Sequence, residues 1–348
     1  MNSGAKWLSL AFLLGGVLAG ANAALATEIE DSAGRVVSVP EQVDRVFAAG
    51  PPAAILLFTL APDKLLGWTR APSPEEAAFL PEAYRDLPAH GRLTGSGDSI
   101  NLEVVLTLEP DVVVDVGSVS DTYADLADRV SQQTGVPSVL FGGRLDELPG
   151  TYRRLGDILG VEERAERLAG YVETTLDEVQ NRIAEVPPEE RPRMYYARGP
   201  DGLDTALSGS INVEAMDFVG ARNVAGEALG GGGLASVSLE QVIAWDPEVI
   251  FTVNPDFAAQ VEDNPRWQTV SAVESGRVHL APQLPFPWID FPPSVNRVLG
   301  VRWLASILYP DLFPEPMEAI TREFYELFYM RDLSDAEIRQ LLGARDGR

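Results

Sequence analysis

The chain has 348 residues, 45% of them hydrophobic and 23% charged, which is enough apolar material for a sizeable core and more than one average domain needs. Its 27 Lys and Arg stand against 52 Asp and Glu, a formal net charge of -25 that disfavours partners such as nucleic acid or an anionic membrane surface. The count of cysteines is 0, which excludes disulfides, thiolate zinc sites, thiol catalysis and the lipid anchor of a bacterial lipoprotein.

In chain order, Lys6 precedes an apolar stretch from Trp7 to Leu18 that is short for a bilayer span, and Ala21-Asn22-Ala23 follows as a small-residue cleavage signature. Residues 1–26 therefore read as a secretory signal peptide, cut after Ala23 or Ala26. The mature chain has no later uncharged run of about 18 apolar residues, so it is expected to be soluble and to reside in the periplasm.

Residues 27–160 read as an N-terminal α/β lobe. Short apolar runs at Arg45–Gly50, Lys64–Trp68, Val112–Val116 and Pro137–Phe141 are separated by helix-like patterns, which implies parallel strands. Val112 to Val114 are apolar without alternation, as expected of a strand covered on both faces. Residues 161–188 read as a linking helix. Ala165, Leu168, Val172, Leu176, Val179, Ile183 and Val186 recur every three or four positions, and Pro187-Pro188 stops the pattern. From Glu162 to Val186 such a helix would be about 37 Å long, a stiff spine allowing modest hinge motion. Residues 189–348 repeat the α/β grammar as a C-terminal lobe with further C-terminal helices. Strands are predicted at Met194–Ala197, Glu248–Asn254 and Arg277–Ala281, and helices near Val213–Val219, Leu239–Trp245 and Pro293–Leu308.

The two lobes share sequence. Leu102–Val112 matches Leu239–Val249 at a constant offset of 137, with Leu, Glu, Val, Pro and Val identical in place. Each copy reads as a short helix, a Pro turn and a strand. Glu103 and Glu240 occupy the same early helix position, after Asn101 or Ser238 as potential N-caps, and neither belongs to the apolar face. Such a residue can simply complement the helix dipole, or it can serve a partner.

Catalytic fingerprints are missing: there is no H-E-x-x-H, G-x-S-x-G, G-x-x-x-x-G-K-[ST] or G-x-G-x-x-G. Gly230 to Gly233 lacks the Lys and hydroxyl residue of a phosphate cradle and reads as a loop. His90 and His279 are the only histidines, are isolated from one another, and do not make a protein-ligated metal site. A pre-chelated metal would need no such ligands. In open α/β sheets ligands bind beyond the C-terminal strand ends. Those loops hold Pro51, Arg70, Ser118, Ser120, Arg144, Tyr196, Arg198, Ser210 and Trp288 as candidate ligand contacts. Arg70, Arg144 and Arg198 are expected to converge on one cleft, where guanidinium groups suit a planar or anionic ligand. An exported enzyme acting on a small anionic substrate in that cleft is the alternative of another class.

Several motifs together resemble a known family. Glu30-Asp31-Ser-Ala-Gly34-Arg35-Val36-Val37-Ser-Val-Pro40, Asn101-Leu102-Glu103 with Pro110-Asp111-Val112, Ser208-Gly-Ser-Ile-Asn212 and Val237-Ser-Leu-Glu240 are similar to the periplasmic binding proteins for iron-siderophore complexes and vitamin B12. The resemblance implies an α/β fold of two Rossmann-like lobes with parallel central sheets, joined by one long α-helix. It also implies a monomer, without cofactor, that delivers its ligand to an inner-membrane ABC permease with ATPase subunits, and it makes Glu103 and Glu240 the docking carboxylates. Where cobalamin-binding relatives present Trp side chains, this chain aligns Gly97, Val116 and Leu234, although Trp288 could supply one aromatic wall. The expected ligand is therefore a ferric chelate, most readily a ferric-siderophore complex. Molybdate or tungstate comes second and a corrinoid or haem third.

Overall fold

The unbroken valines of residues 112–114 lie at the centre of the first sheet. In the computed structural model, which describes residues 26–95 and 102–343, β1 (Ala26–Glu30) and β2 (Val36–Pro40) form an antiparallel hairpin. They are followed by β3 (Val46–Ala48), β4 (Val112–Gly117) and β5 (Ser138–Gly142), a parallel sheet in the order β3-β4-β5. The leader, Gly97 and Asn101 lie outside the described residues.

The hairpin turn explains the Asp31-Ser-Ala-Gly-Arg35 motif. One Asp31 oxygen accepts the Ala33 and Arg35 amides at 2.9 and 3.1 Å, and Gly34 takes φ 74, a left-handed value that glycine adopts freely. The other oxygen accepts the Leu140 amide at 3.0 Å, and Ser32 Oγ accepts the Gly142 amide at 3.0 Å. The motif thereby ties the hairpin to the free edge of β5.

The apolar run Lys64–Trp68 makes no full strand. A 3-10 turn over Pro62–Lys64 precedes single bridge pairs, Val46 with Leu65 and Trp68 with Ala89. The chain then leaves the sheet so that the Trp68 ring can pack 5.2 Å from Phe58 and 5.6 Å from Phe286.

The spine helix runs Glu162–Ile183, three residues shorter than the periodicity suggests. Its 22 residues span about 33 Å. Residues ahead of Pro187-Pro188 are driven from helical geometry by the proline rings, and Val186 closes a tight turn onto Ile183 instead.

Beyond it lie β6 (Arg193–Ala197), β7 (Asp204–Ala206), β8 (Arg222–Asn223), β9 (Leu234–Ser236), β10 (Val249–Thr252) and β11 (Val278–Leu280). The second parallel sheet has the order β11-β10-β6-β8, and β7 pairs with β9 antiparallel. The protein is thus α/β, with two Rossmann-like lobes, each with a parallel central sheet, joined by one long helix.

Strand alternation sorts the core. Val46, Val112, Val114, Met194, Tyr196, Val249 and Phe251 point into one continuous apolar core that also contains the buried face of the spine. The intervening Phe47 and Val113, and Tyr195 and Ile250, point outward into two satellite clusters. Each satellite is capped by one copy of the repeated helix, Leu102–Leu108 through Val105 and Leu239–Trp245 through Val242.

The last helices, Met317–Tyr329 and Asp335–Leu341, follow the C-terminal lobe in sequence, yet the first of them packs on the N-terminal one. Tyr329 meets Phe58 at 5.8 Å, Phe328 meets Tyr152 at 6.2 Å, and Arg331 donates to the Ala78 carbonyl at 3.2 Å. Among the described residues no helix is long and apolar enough to cross a membrane.

Candidate functional site

The C-terminal ends of β3, β4 and β6 open onto a cleft of about 940 Å³ between the lobes. Arg70, Arg92 and Arg198 are its basic groups, and Trp68, Tyr123, Phe286 and Phe291 are among its rings. A recess of about 520 Å³, with Asp204, Ser236 and Asn254 on its walls, adjoins it and shares Arg198, Leu234 and Phe291. The three arginines share this concavity with one carboxylate, Asp115.

Arg198 is the best supported of them. It follows β6, where its amide donates to the Asp204 carbonyl at 2.7 Å, and its Nε lies 3.2 Å from Asp290. Asp290 is fully buried and is itself fixed by the Tyr196 hydroxyl at 2.9 Å and Asn212 Nδ2 at 2.8 Å. Burial pushes the Asp290 carboxyl above its ordinary range, and the Arg198 charge opposes that shift. The guanidinium carbon sits 5.6 Å from the Phe291 ring. Phe291 is 67% exposed and holds φ 67, an outlying conformation for an aromatic residue. A strained, solvent-facing ring beside a held arginine is the arrangement expected of a ligand wall.

Across the cleft, the helix Pro51–Leu60 begins at Gly50, and a Cβ there would lie 2.4 Å from Thr94 Oγ1, so only glycine lets the helix start so close. Thr94 donates to Asp115 Oδ1 at 3.1 Å, and the Val116 amide donates to the same oxygen at 3.0 Å. Burial pushes Asp115 from its ordinary 3.8 up to about 6. Because the folded value is the raised one, the folded state gains relative stability in acid and loses it as pH rises through about 6. Asp115→Asn is therefore expected to stabilise the protein by on the order of 3 kcal/mol at pH 7.5, with the gain fading to nothing near pH 4. Urea unfolding of both proteins across pH 4–8 checks this, and a gain independent of pH would show that ionisation is not its cause.

The structure brings Pro51, Arg70, Ser118 and Arg198 to the cleft wall. Arg70 stands at the rim, paired through both terminal nitrogens with Glu76 at 2.7 and 2.5 Å. Tyr196 and Ser210 stand one bond behind: Tyr196 holds Asp290, and Ser210 Oγ donates to Asn212, which reaches the wall. Ser120 is exposed at the N-cap of the helix Asp121–Thr134, away from the wall. Trp288 is fully buried, with its Nε1 3.4 Å from the Tyr325 hydroxyl, so it builds core rather than an aromatic wall.

Arg144 faces the junction of the lobes instead of converging with Arg70 and Arg198. Its Nη2 lies 2.9 Å from Glu214, whose other oxygen accepts the Leu145 amide at 3.2 Å. The fully buried Arg297 binds the same Glu214 and also the Gly143 carbonyl, so one guanidinium bridges both lobes. Arg92 takes the place expected of Arg144 on the cleft.

Thr94, Asp115 and Phe291 were not singled out by sequence, and Asn212 entered only as the end of the Ser208–Asn212 motif. A signal existed for Asp115, the lone carboxylate in Val112-Val-Val-Asp-Val116, and for Phe291, in the Phe291-Pro-Pro segment. Among the described residues, no group of three or more His, Cys, Asp or Glu side chains is placed to hold a bare metal ion.

Glu103 and Glu240 are exposed on their helices, far from one another in sequence and alike in position. Glu240 lies 3.8 Å from Arg266, and hydrogen bonds from its own backbone amide and from Ser238 hold its pKa below the usual range.

Residues 60–284, more than half of the chain, match the model of the periplasmic binding protein family. The chain belongs to that family. The molybdate-binding protein MolA of Haemophilus influenzae is 26% identical over 328 residues, covering 86% of this chain and 90% of that one. A solved ABC transporter solute binding protein from Sulfurospirillum deleyianum shares 30% identity at a TM-score of 0.82, covering 91% of this chain and 99% of that one. MolA bound to molybdate superposes at a TM-score of 0.72 with 23% identity, covering 88% and 99%. As a periplasmic binding protein, the chain is a substrate-binding component of an ABC importer, and the interlobe cleft is its candidate ligand site.

Proposed function

We propose that this periplasmic binding protein captures an anionic ferric chelate, such as a ferric-siderophore complex, and passes it to an inner-membrane permease with its ATPase subunits. The size and lining of the cleft carry this reading. About 940 Å³ suits a ligand the size of a drug molecule. An oxyanion with the bulk of a few waters, each about 30 Å³, would leave most of it empty. Pro51 and Pro52 also remove two amide donors from the helix end that faces the cleft, donors that an oxyanion would use. Arg70, Arg92 and Arg198 can pair with carboxylate, catecholate or hydroxamate oxygens, while Phe291 and Phe286 cover the organic shell. The metal arrives already ligated and needs no protein ligand. No cofactor is called for, and the protein acts as a monomer.

Molybdate is the second reading, favoured by the relative MolA. Titration by intrinsic fluorescence separates the two, since Trp68 lies on the cleft. Ferric complexes of catecholate, hydroxamate and citrate ligands are expected to quench it saturably at one per chain, with molybdate and cobalamin silent. A response to molybdate alone would overturn the iron reading and leave the transport reading standing.

The leader, cut after Ala23 or Ala26, would carry the protein to the periplasm. Glu103 and Glu240, one per lobe, steer the loaded protein onto cationic groups of the permease.

A further inference from the structure

The repeated helices match far beyond their glutamates. Leu102–Leu108 and Leu239–Trp245 bury Val105 and Val242 completely, one residue before an exposed apolar side chain, Leu106 at 51% and Ile243 at 36%. Each helix ends at an acidic residue in the left-handed region, Glu109 and Asp246, both at φ 45, a conformation that residues other than glycine seldom adopt. Each is then clamped by an arginine at the entry to the first parallel strand of its lobe, Arg45 just before β3 and Arg193 at the start of β6. Arg45 donates to the Leu108 and Glu109 carbonyls at 2.5 and 3.3 Å, and Arg193 to those of Trp245 and Asp246 at 2.6 and 3.4 Å. The carboxylates of Asp111 and Glu248 accept the backbone amides of these same arginines at 2.8 and 2.7 Å.

Core packing explains the buried valines and the clamps. It does not explain why the outward position one turn after each glutamate is apolar in both lobes, where a polar residue would cost nothing. Residues three apart on a helix are neighbours, so Glu103 with Leu106 and Glu240 with Ile243 form two like facets of one carboxylate and one apolar side chain. Two facets repeated at an offset of 137 fit a partner that itself presents two like surfaces.

We propose that Leu106 and Ile243 are anchors for the permease, each seating in an apolar depression beside a cationic group on one of two like membrane subunits, while Arg45 and Arg193 set the pose of the two facets. This rests on the transport reading and divides the labour of docking. Exposed carboxylates act on the rate of encounter and its salt dependence, whereas the apolar pair Leu106 and Ile243, covered only on docking, acts on the lifetime of the complex.

The test uses the full-length mature protein and its permease–ATPase complex in lipid nanodiscs, followed by surface-immobilised binding at several salt concentrations. Leu106→Ser and Ile243→Ser are each expected to speed dissociation about ten- to hundred-fold, with association, ligand affinity and melting temperature unchanged. Leu106→Met with Ile243→Leu should restore the wild-type lifetime. Glu103→Ala with Glu240→Ala should instead slow association and flatten its dependence on salt. Wild-type dissociation in the Leu106→Ser/Ile243→Ser protein, alongside slowed association in the glutamate pair, would overturn the anchor assignment and leave the transport reading intact. Failure of the wild-type protein to bind or stimulate any permease–ATPase complex would defeat the transport reading itself. A wild-type dimer in sedimentation that the serine pair dissolves would reassign the facets to self-association and also overturn the proposal.

Discussion

Arg198→Ala is expected to weaken binding of the ferric chelate by about 2 to 5 kcal/mol, roughly thirty-fold to several thousand-fold in Kd. The size of the effect follows from what holds the guanidinium. Asp290 is buried and tethered on two further sides by Tyr196 and Asn212, so Arg198 is fixed before the ligand arrives and loses little entropy on binding it. Truncation also leaves Asp290 buried without its counter-charge. Arg198→Ala with Asp290→Asn is therefore expected to recover the melting temperature but not the affinity, which separates the binding role from the structural one. Phe291→Ala should weaken binding more modestly without that stability loss, since its ring is exposed. An affinity within threefold of wild type in Arg198→Ala would take this arginine out of the site.

Arg297→Ala is expected to destabilise the protein by about 3–5 kcal/mol, because it removes one partner from a buried ion pair and leaves the Glu214 carboxylate with only the half-exposed Arg144 as counter-charge. Burial already pushes Glu214 above its ordinary range and Arg297 below its own, with the mutual attraction of the pair opposing both shifts. The Gly143 carbonyl loses its donor as well. Differential scanning calorimetry should show a melting temperature lower by on the order of 10 °C. The pair Arg297→Met and Glu214→Gln is expected to regain much of the loss, since the one charge left without its partner, Arg144, is half-exposed and screened by solvent. A single variant that melts with the wild type would mean that this bridge between the lobes carries no net stability.

The fold was legible where periodicity was long. The spine declared itself through seven apolar positions, and the parallel strands through runs such as Val112–Val114, because burial on both faces leaves a pattern that local sequence retains. Lys64–Trp68 misled because its apolar residues serve ring packing against Phe58 and Phe286 rather than a ladder, and nothing local distinguishes those uses.

The site was legible in outline, because the ends of parallel strands point to it, but side-chain direction was not. Arg144 and Arg198 both follow a strand beside small residues. The first is drawn to a carboxylate on the other lobe, and the second is held at the cleft by a carboxylate 92 positions further along the chain. Tyr196 was expected to touch the ligand and Trp288 to supply an aromatic wall, yet both are fully buried; the exposed ring on the cleft is Phe291. Such choices depend on pairings distant in sequence. Repetition between the lobes, by contrast, needs no tertiary knowledge and was visible at once.

The contact between the last long helix and the N-terminal lobe bears on how this chain is made. Ribosomes and export channels release the N-terminus first. Phe58 and Tyr152 emerge well before their covers, Tyr329 and Phe328, which are among the last core residues. A nascent chain halted before Met317 therefore lacks one wall of its first lobe. The N-terminal lobe is thus finished by residues that follow the whole of the C-terminal one, and the order of synthesis is not the order of completion.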